Sequence, residues 1–213
     1  MIHFENFEKG YDSSPELLFK IPDLELQASF YWIKGGNGEG KTTLIRCIAG
    51  LLPFQGNIMV DGIDLRKETR QYRLFVNLAE AEPQYPSFLT GSDLVNLYAY
   101  TKKATPQDTN RLITGFSVAN YLHNPIGSYS TGMRKKLSLV LGFMGNPKLI
   151  LLDEPFITLD KEAEGFLATT INQHLQNGVQ IVIASHQETD TNWQINPQSL
   201  LINSQTLVVE FHV

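Results

Sequence analysis

Residues 35–42 read G-G-N-G-E-G-K-T and match the pattern G-x-x-x-x-G-K-[ST] at every fixed position. The run before them, S-F-Y-W-I-K at residues 29–34, is aromatic and β-branched, which predicts a buried strand. Residues 42–49 predict a helix that Gly50 and Pro53 terminate. A strand, a glycine loop and a helix in this order form the context in which the pattern binds phosphate. The stretch therefore predicts a nucleotide site in an α/β fold.

The residue types in the loop have separate tasks. Glycines let successive backbone N–H groups converge on phosphate oxygens at the positive end of the following helix. Lys41 would reach the β and γ phosphates, the hydroxyl of Thr42 would ligate Mg²⁺, and Thr43 would add a phosphate contact. The alternative is a glycine-rich turn without a ligand.

Composition limits the class of protein. A chain of 213 residues with 42% hydrophobic content can bury one sizeable core, so we expect one domain with two lobes. The net charge of −5 provides no basic surface, and we expect no nucleic-acid partner. Cys47 is the single cysteine, consistent with a reducing, cytosolic setting. No apolar run approaches the ~20 residues that span a bilayer, so we expect a soluble chain.

The pattern of apolar residues predicts the order of the elements. Residues 56–64 carry an Asp-Gly turn typical of a β-hairpin, and residues 73–78 predict a strand. Residues 91–145 change to helical period, with one helix starting at Thr105-Pro106 and another at 133–143.

The remainder of the chain returns to alternating strands and helices. Residues 148–152 and 180–184 predict buried strands, and Asp160 predicts the N-cap of a helix that ends near Gly178. Residues 200–211 predict a closing hairpin. The fold class that follows is α/β with a mostly parallel sheet, an N-terminal antiparallel β part and an inserted helical subdomain.

Two carboxylates follow a hydrophobic strand in L-I-L-L-D-E-P, residues 149–155. Ligands of open α/β sheets bind at the carboxyl ends of the strands. In a phosphate-loop enzyme Asp153 would hold Mg²⁺, mostly through water, and Glu154 would act as the general base toward the attacking water. A strand ending in a solvated acidic turn is the alternative for this fragment alone.

A further motif, Y-S-T-G-M-R-K-K at residues 129–136, precedes an apolar helical stretch. Ser130 and Gly132 fall where the helix begins and backbone donors face outward. By itself the motif indicates only a helix N-cap.

Together with Leu159-Asp160 and Ser185-His186, these motifs resemble, in order and spacing, the nucleotide-binding subunit of an ATP-binding cassette (ABC) transporter. The resemblance implies a P-loop NTPase core in a single domain, residues 1–213. Residues 1–80 and 147–213 would form the nucleotide-binding α/β lobe, and residues 81–146 the helical subdomain. It also implies ATP and Mg²⁺ as cofactors.

The same resemblance implies a role for each matching residue. Glu154, His186 and Lys41 would be catalytic, with His186 contacting the γ-phosphate. Ser130 and Gly132 would bind the γ-phosphate of ATP held by a partner subunit, and Asp160 would communicate between the two sites. The implied nucleotide contacts are Tyr11 (under the adenine), Gly35, Gly36, Asn37, Gly38, Glu39, Gly40, Lys41, Thr42, Thr43, Ser130, Gly132 and Asp160; the implied metal ligands are Thr42, Asp153 and Glu80.

Two positions depart from the family pattern. The signature usually reads L-S-G-G-Q, and Y-S-T-G-M followed by basic residues looks like the subset that serves exporters. Where the family has a glutamine that reaches the metal and the water, this chain has Glu80, with Glu82 and Gln84 as alternative registers.

The resemblance finally implies the setting in which the chain works. It would dimerise with a second ABC ATPase subunit, most simply another copy of itself, and a separate integral membrane permease would dock near residues 81–90. The expected location is the cytoplasmic face of the cell membrane, and the expected function is ATP-driven export. A soluble ABC-type ATPase without a transport role and a regulatory cassette with little turnover are the alternatives.

Overall fold

The computed structural model describes residues 1–11, 16–36, 38–186, 193–203 and 205–210. The strands are β1 Ile2–Gly10, β2 Leu17–Leu26, β3 Phe30–Lys34, β4 Gln55–Val60, β5 Ile63–Asp64, β6 Val76–Ala79, β7 Leu149–Asp153, β8 Gln180–Ala184, β9 Gln198–Asn203 and β10 Thr206–Glu210. The α-helices are α1 Lys41–Ile48, α2 Thr69–Phe75, α3 Gly91–Lys102, α4 Pro106–Gly115, α5 Thr131–Phe143 and α6 Lys161–Gln176.

The larger sheet has six strands in the order β10-β9-β3-β8-β7-β6. Strands β9, β3, β8, β7 and β6 pair in parallel, and β10 pairs antiparallel with β9 at the edge. The prediction of a mostly parallel sheet is confirmed. Parallel strands have their carboxyl ends at one edge, so the loops that follow β3, β7 and β8 meet there.

Both faces of this sheet are buried, and the side chains alternate between two cores. In β3, Phe30 and Trp32 belong to one core while Tyr31 and Ile33 belong to the other. Strands β7 and β8 are buried at every residue, which is typical of parallel strands covered on both sides.

Different layers cover the two faces. Helix α1 packs on one face together with a second sheet, which is antiparallel with strand order β2-β1-β4-β5. The predicted N-terminal antiparallel part is therefore confirmed. Helices α3, α4, α5 and α6 supply apolar residues to the core on the opposite face, and α3, α4 and α5 lie within residues 81–146. The division into lobe and subdomain stays a prediction.

An aromatic cluster fills the space between the sheet and the segment after β7. The rings of Trp32 and Phe156 are stacked, with centroids 6.5 Å apart and planes within 4°. Trp193 packs edge-on against Phe156 at 6.2 Å and against Phe30 at 5.2 Å. The cluster ties the segment after the acidic strand to the centre of the sheet.

Most predicted elements are present, and one was wrong. The hairpins at 56–64 and 200–211 correspond to β4–β5 and β9–β10, although Phe211 lies outside the described residues. The strand predicted at 73–78 starts only at Val76, because residues 73–75 complete helix α2. Tyr72, which is fully buried, donates its hydroxyl to the Ile48 carbonyl at 2.7 Å, and this tertiary contact favours the helix over an extended run.

Truncation of a buried side chain in β7 should destabilise the whole fold. Leu151 is fully buried in β7, and we expect Leu151→Ala to lower the free energy of unfolding by about 3 kcal/mol, because a cavity remains. The matched control is Leu51→Ala, since Leu51 is 56% exposed and should change stability by less than about 0.5 kcal/mol. Urea unfolding followed by circular dichroism measures both, and equal losses would contradict the assignment of the core.

Candidate functional site

The glycine loop lies between β3 and α1 at the carboxyl edge of the sheet. Gly40 has φ 98° and ψ 10°, a left-handed conformation, and a Cβ there would approach the side chains of Leu18 and Phe19 to 2.9–3.0 Å. Both facts favour glycine. No described side chain caps the amino end of α1, which leaves its first N–H groups directed at the site. Such a helix end is suited to an anion.

The charged side chains of the loop are held by its backbone. Lys41 is 7% exposed, and its Nζ donates to the carbonyls of Gly35 at 2.7 Å and Gly36 at 2.8 Å. The Gly36 N–H donates to Oε2 of Glu39 at 2.7 Å, so this amide already points at an anionic oxygen. Asn37 lies outside the described residues.

A hydroxyl and a carboxylate meet beside the loop. Thr42 Oγ1 donates to Asp153 Oδ2 at 2.9 Å and lies 3.2 Å from Oδ1. The pKa of Asp153 is raised, because the effect of burial outweighs the lowering by the Thr42 hydroxyl and the Lys135 ammonium. Oxygen ligands of this kind suit Mg²⁺, which usually takes one or two protein oxygens and completes its shell with phosphates and water. Among the described residues, no group of three or more His, Cys, Asp or Glu side chains is placed to hold a metal ion.

Glu154 has a constrained backbone and a clamped carboxylate. Its φ is 43°, and its N–H donates to the Ala184 carbonyl at 2.8 Å. Ser185 donates its hydroxyl to Oε2 at 2.7 Å, and the His186 N–H donates to Oε1 at 3.1 Å. The Nδ1 atom of His186 also lies 2.8 Å from Oε1. The end of β8 therefore fixes the direction of the Glu154 carboxylate.

Part of the glycine loop, Glu154 and His186 line one cleft of about 440 Å³. Its described walls are Gly38, Gly40, Lys41, Thr42, Thr43, Ala81, Glu82, Thr131, Glu154, Ile157, Thr158 and His186. The structure thus brings together the glycine loop, the Glu154 carboxylate after β7 and the histidine after β8.

The remaining predicted residues lie around the cleft. Tyr11 is 46% exposed and its hydroxyl is 2.7 Å from Thr43 Oγ1, while Lys9 Nζ lies 4.8 Å from its ring centroid. Tyr11 therefore stands beside the start of α1, and its role under the adenine stays a prediction.

The signature residues begin α5. Ser130 is its N-cap and accepts the Met133 N–H at 3.2 Å, and Gly132 faces the Thr158 carbonyl. Asp160 caps α6 by accepting the Ala163 N–H at 2.9 Å, and it pairs with Lys136. The predicted N-caps are confirmed, and the roles of these residues toward a partner stay predictions.

The register of the metal-reaching position also stays a prediction. Glu80 Oε1 accepts Arg46 Nε at 3.0 Å, so its carboxylate is paired with helix α1. Glu82 belongs to the described lining of the cleft, whereas Glu80 and Gln84 do not.

Several contributors were not identified as site residues from the sequence. Thr131, Ile157 and Thr158 line the cleft, and Lys135 is buried beneath it. Lys135 stands in the basic run R-K-K, yet Lys135, Ser138 and Gly142 are spaced as one helical face. This spacing is the sequence feature from which a buried lysine could have been predicted.

Fold and site together define a nucleotide-binding ATPase cassette. The family model described as ABC transporter matches residues 23–157. The CcmA cytochrome c biogenesis ATP-binding export protein of Histophilus somni is 31% identical, over 89% of this chain and 89% of its own. The uncharacterized ABC transporter ATP-binding protein YybJ of Bacillus subtilis is 29% identical, over 77% of this chain and 76% of its own.

A solved structure extends the likeness in fold. A dimeric ATP-binding cassette in a post-hydrolysis state, bound to ADP and Pi, superposes with a TM-score of 0.82 at 15% identity and covers 99% of this chain and 98% of its own. The chain belongs to the ABC transporter ATP-binding family, and it is an ATPase of that family.

The glycine loop should be required for nucleotide binding. In Lys41→Ala the ammonium that would meet the β and γ phosphates is removed, and we expect at least about a tenfold loss of ATP affinity. Isothermal titration calorimetry measures this affinity. Lys67→Ala is the control, because the Lys67 side chain is 83% exposed and outside the described lining of the cleft. Unchanged binding in Lys41→Ala would exclude the loop as the phosphate site.

Proposed function

We propose that this chain hydrolyses ATP with Mg²⁺ as one half of a dimer and thereby drives a separate membrane permease in the direction of export. The observation that carries the proposal is the meeting of the glycine loop with the acids after β7, where Thr42 donates to Asp153 at 2.9 Å and Glu154 borders the same cleft. A phosphate chain on the loop amides would lie beside both carboxylates.

The residues of the chain divide the chemistry between them. The amides at the start of α1 and the Lys41 ammonium bind the β and γ phosphates. Thr42 and Asp153 would hold Mg²⁺, and the ion would supply positive charge beside the phosphate oxygens. Glu154 accepts a proton from the water whose oxygen attacks the γ-phosphorus, the bond to ADP breaks, and phosphate is released.

The position of His186 supports a shared role with Glu154. Its ring nitrogen and its backbone N–H both contact Oε1 of Glu154, while Ser185 occupies Oε2. A carboxylate with both oxygens engaged has a defined orientation, which a general base needs. His186 also lines the cleft, where its ring can contact the γ-phosphate.

Dimerisation is supported by the amino end of α5. Ser130 and Gly132 are at a helix start, where outward-facing N–H groups and the helix dipole favour an anion. Two copies arranged head to tail would each offer this end to the nucleotide on the partner's loop. ATP then favours the closed dimer because it contacts both subunits, and hydrolysis removes that bridge.

Partnership with a permease is supported by the segment between β6 and α3. Every described helix is too short or too polar to cross a bilayer. Residues 81–90 run between β6 and α3, and Phe88 in this segment is 79% exposed. We assign this segment to the permease contact, which would keep the chain at the cytoplasmic face of the membrane. The Y-S-T-G-M signature and the export protein CcmA among the relatives favour efflux.

The aromatic ring of Tyr11 should contribute to adenine binding. Stacking on a base is worth about 1–3 kcal/mol, so we expect Tyr11→Ala to weaken ATP binding by about tenfold. Tyr11→Phe keeps the ring and loses only the hydroxyl contact with Thr43, and it should stay within about twofold of the parent. Titration calorimetry compares the two, and equal losses would assign the effect to the hydroxyl.

Removal of the base should separate binding from turnover. Glu154→Gln should reduce steady ATP hydrolysis by at least about a hundredfold, because the amide does not accept the proton, and ATP should remain bound. With turnover blocked, ATP should hold the closed dimer, which size-exclusion chromatography with light scattering detects. Glu162→Gln is the matched control, since Glu162 is exposed in the first turn of α6. Turnover at the parent rate in Glu154→Gln would reject Glu154 as the base.

A further inference from the structure

A buried lysine connects helix α5 with the edge of the sheet where the cleft lies. Lys135 is 1% exposed, and its Nζ donates to the Asp153 carbonyl at 2.7 Å and to the Glu80 carbonyl at 3.0 Å. Both acceptors are backbone oxygens, so the ammonium fixes the position of the main chain at both residues.

The two carbonyls mark the point at which neighbouring strands separate. Ala79 of β6 pairs with Leu152 of β7, so Glu80 and Asp153 each follow the last shared pair by one residue. After Glu80 the main chain continues into residues 81–90, and after Asp153 it continues into Glu154. Ser138, one helical turn after Lys135, accepts the Glu80 N–H at 3.1 Å. Side chains of helix α5 thus form hydrogen bonds with the backbone at the point where the pairing of β6 with β7 ends.

The peptide between Asp153 and Glu154 is fixed from both sides. Its carbonyl accepts from Lys135, and its N–H donates to Ala184 of β8 at 2.8 Å. Glu154 has a φ of 43°, a left-handed conformation that is unfavourable for a residue with a Cβ. The two opposing hydrogen bonds select this conformation, and it directs the side chain toward Ser185 and His186.

We propose that Lys135 is a positioning residue for ATP hydrolysis. Its ammonium fixes the peptide before Glu154 relative to Glu80, after which the opposite wall of the cleft begins at Ala81. Lys135 does not line the cleft, so it acts through Glu154 and through the segment beginning at Ala81. The proposal rests on the role proposed above for Glu154 as the base.

The type of side chain fits this task. An apolar residue would fill the same volume but would leave two buried carbonyls without this donor, which is costly. Burial lowers the pKa of Lys135 to about 8, and the nearby Asp153, Glu154 and Glu80 charges oppose that shift. The Lys135 ammonium therefore lies near three carboxylates of opposite charge.

The chain contains a matched control for the loss of a buried ammonium. Lys102 at the end of α3 donates to the carbonyls of Arg73 and Val76, the latter at 3.0 Å, and burial also lowers its pKa to about 8. These acceptors lie in the last turn of α2 and at the first residue of β6, and Lys102 is outside the described lining of the cleft. Lys102→Met and Lys135→Met thus remove the same group from opposite ends of one strand.

The experiment compares Lys135→Met, Lys135→Gln, Lys102→Met and Glu154→Gln with the parent. Urea unfolding identifies the folded variants, calorimetry gives ATP affinity, and steady-state assays give kcat and KM. We expect Lys135→Met to lower kcat at least about tenfold with KM and ATP affinity within about threefold, because the base is misplaced while the glycine loop is intact. Lys135→Gln retains one donor and should show a smaller loss of kcat, and Lys102→Met should keep the parent kcat.

Each other outcome overturns the proposal. A folded Lys135→Met with the parent kcat, or a kcat loss matched by Lys102→Met, leaves no specific positioning role. A rise in KM as large as the fall in kcat indicates a binding defect instead. If neither Lys135 variant folds while Lys102→Met does, the lysine serves the fold and the positioning role is rejected. Parent-level turnover in Glu154→Gln would instead reject the proposed base, independently of Lys135.

Discussion

The parallel alignment of β9, β3, β8, β7 and β6 in the larger sheet is the constraint from which the site follows. Strand β8 separates β3 from β7, yet Thr42, which follows β3, donates to Asp153 at the end of β7. That contact requires the strands to end at one edge and helix α1 to begin directly above it. The loop amides, the paired oxygens and the clamped Glu154 then converge without a long functional loop. Catalytic geometry in this chain is thus a property of strand order and strand length.

Charge at this edge is balanced by cationic side chains from two helices. Asp153, Glu154 and Glu80 bring carboxylates close together, and like charges in a partly dry site repel. Lys135 enters from α5, and Arg46 of α1 pairs with Glu80 at 3.0 Å. The acids can remain close because each cation comes from a helix that the sheet holds in place.

The features that the sequence predicts here are those encoded by local spacing. The glycine loop, the acids after 149–152 and the hairpin turns at 56–64 each depend on neighbouring residues, and each was found where expected. The helix at 69–75 was missed because Tyr72 donates a buried hydrogen bond to the carbonyl of Ile48, 24 residues away. From the sequence, Lys135 is one of a run of basic residues. Its burial was not predicted because it depends on the carbonyls of Glu80 and Asp153, which are distant in the sequence. Arg46 and Glu80 likewise pair across 34 residues, a distance over which a single sequence carries no signal.

The aromatic cluster has a spectroscopic consequence. The chain has two tryptophans, Trp32 and Trp193, and the rings of both pack against Phe156. Phe156 lies two residues after Glu154, in the segment that leads to Asp160. Any rearrangement of that segment changes the environment of every indole in the molecule at once. The intrinsic fluorescence of the unlabelled protein therefore reports on the conformation of the segment between Glu154 and Asp160.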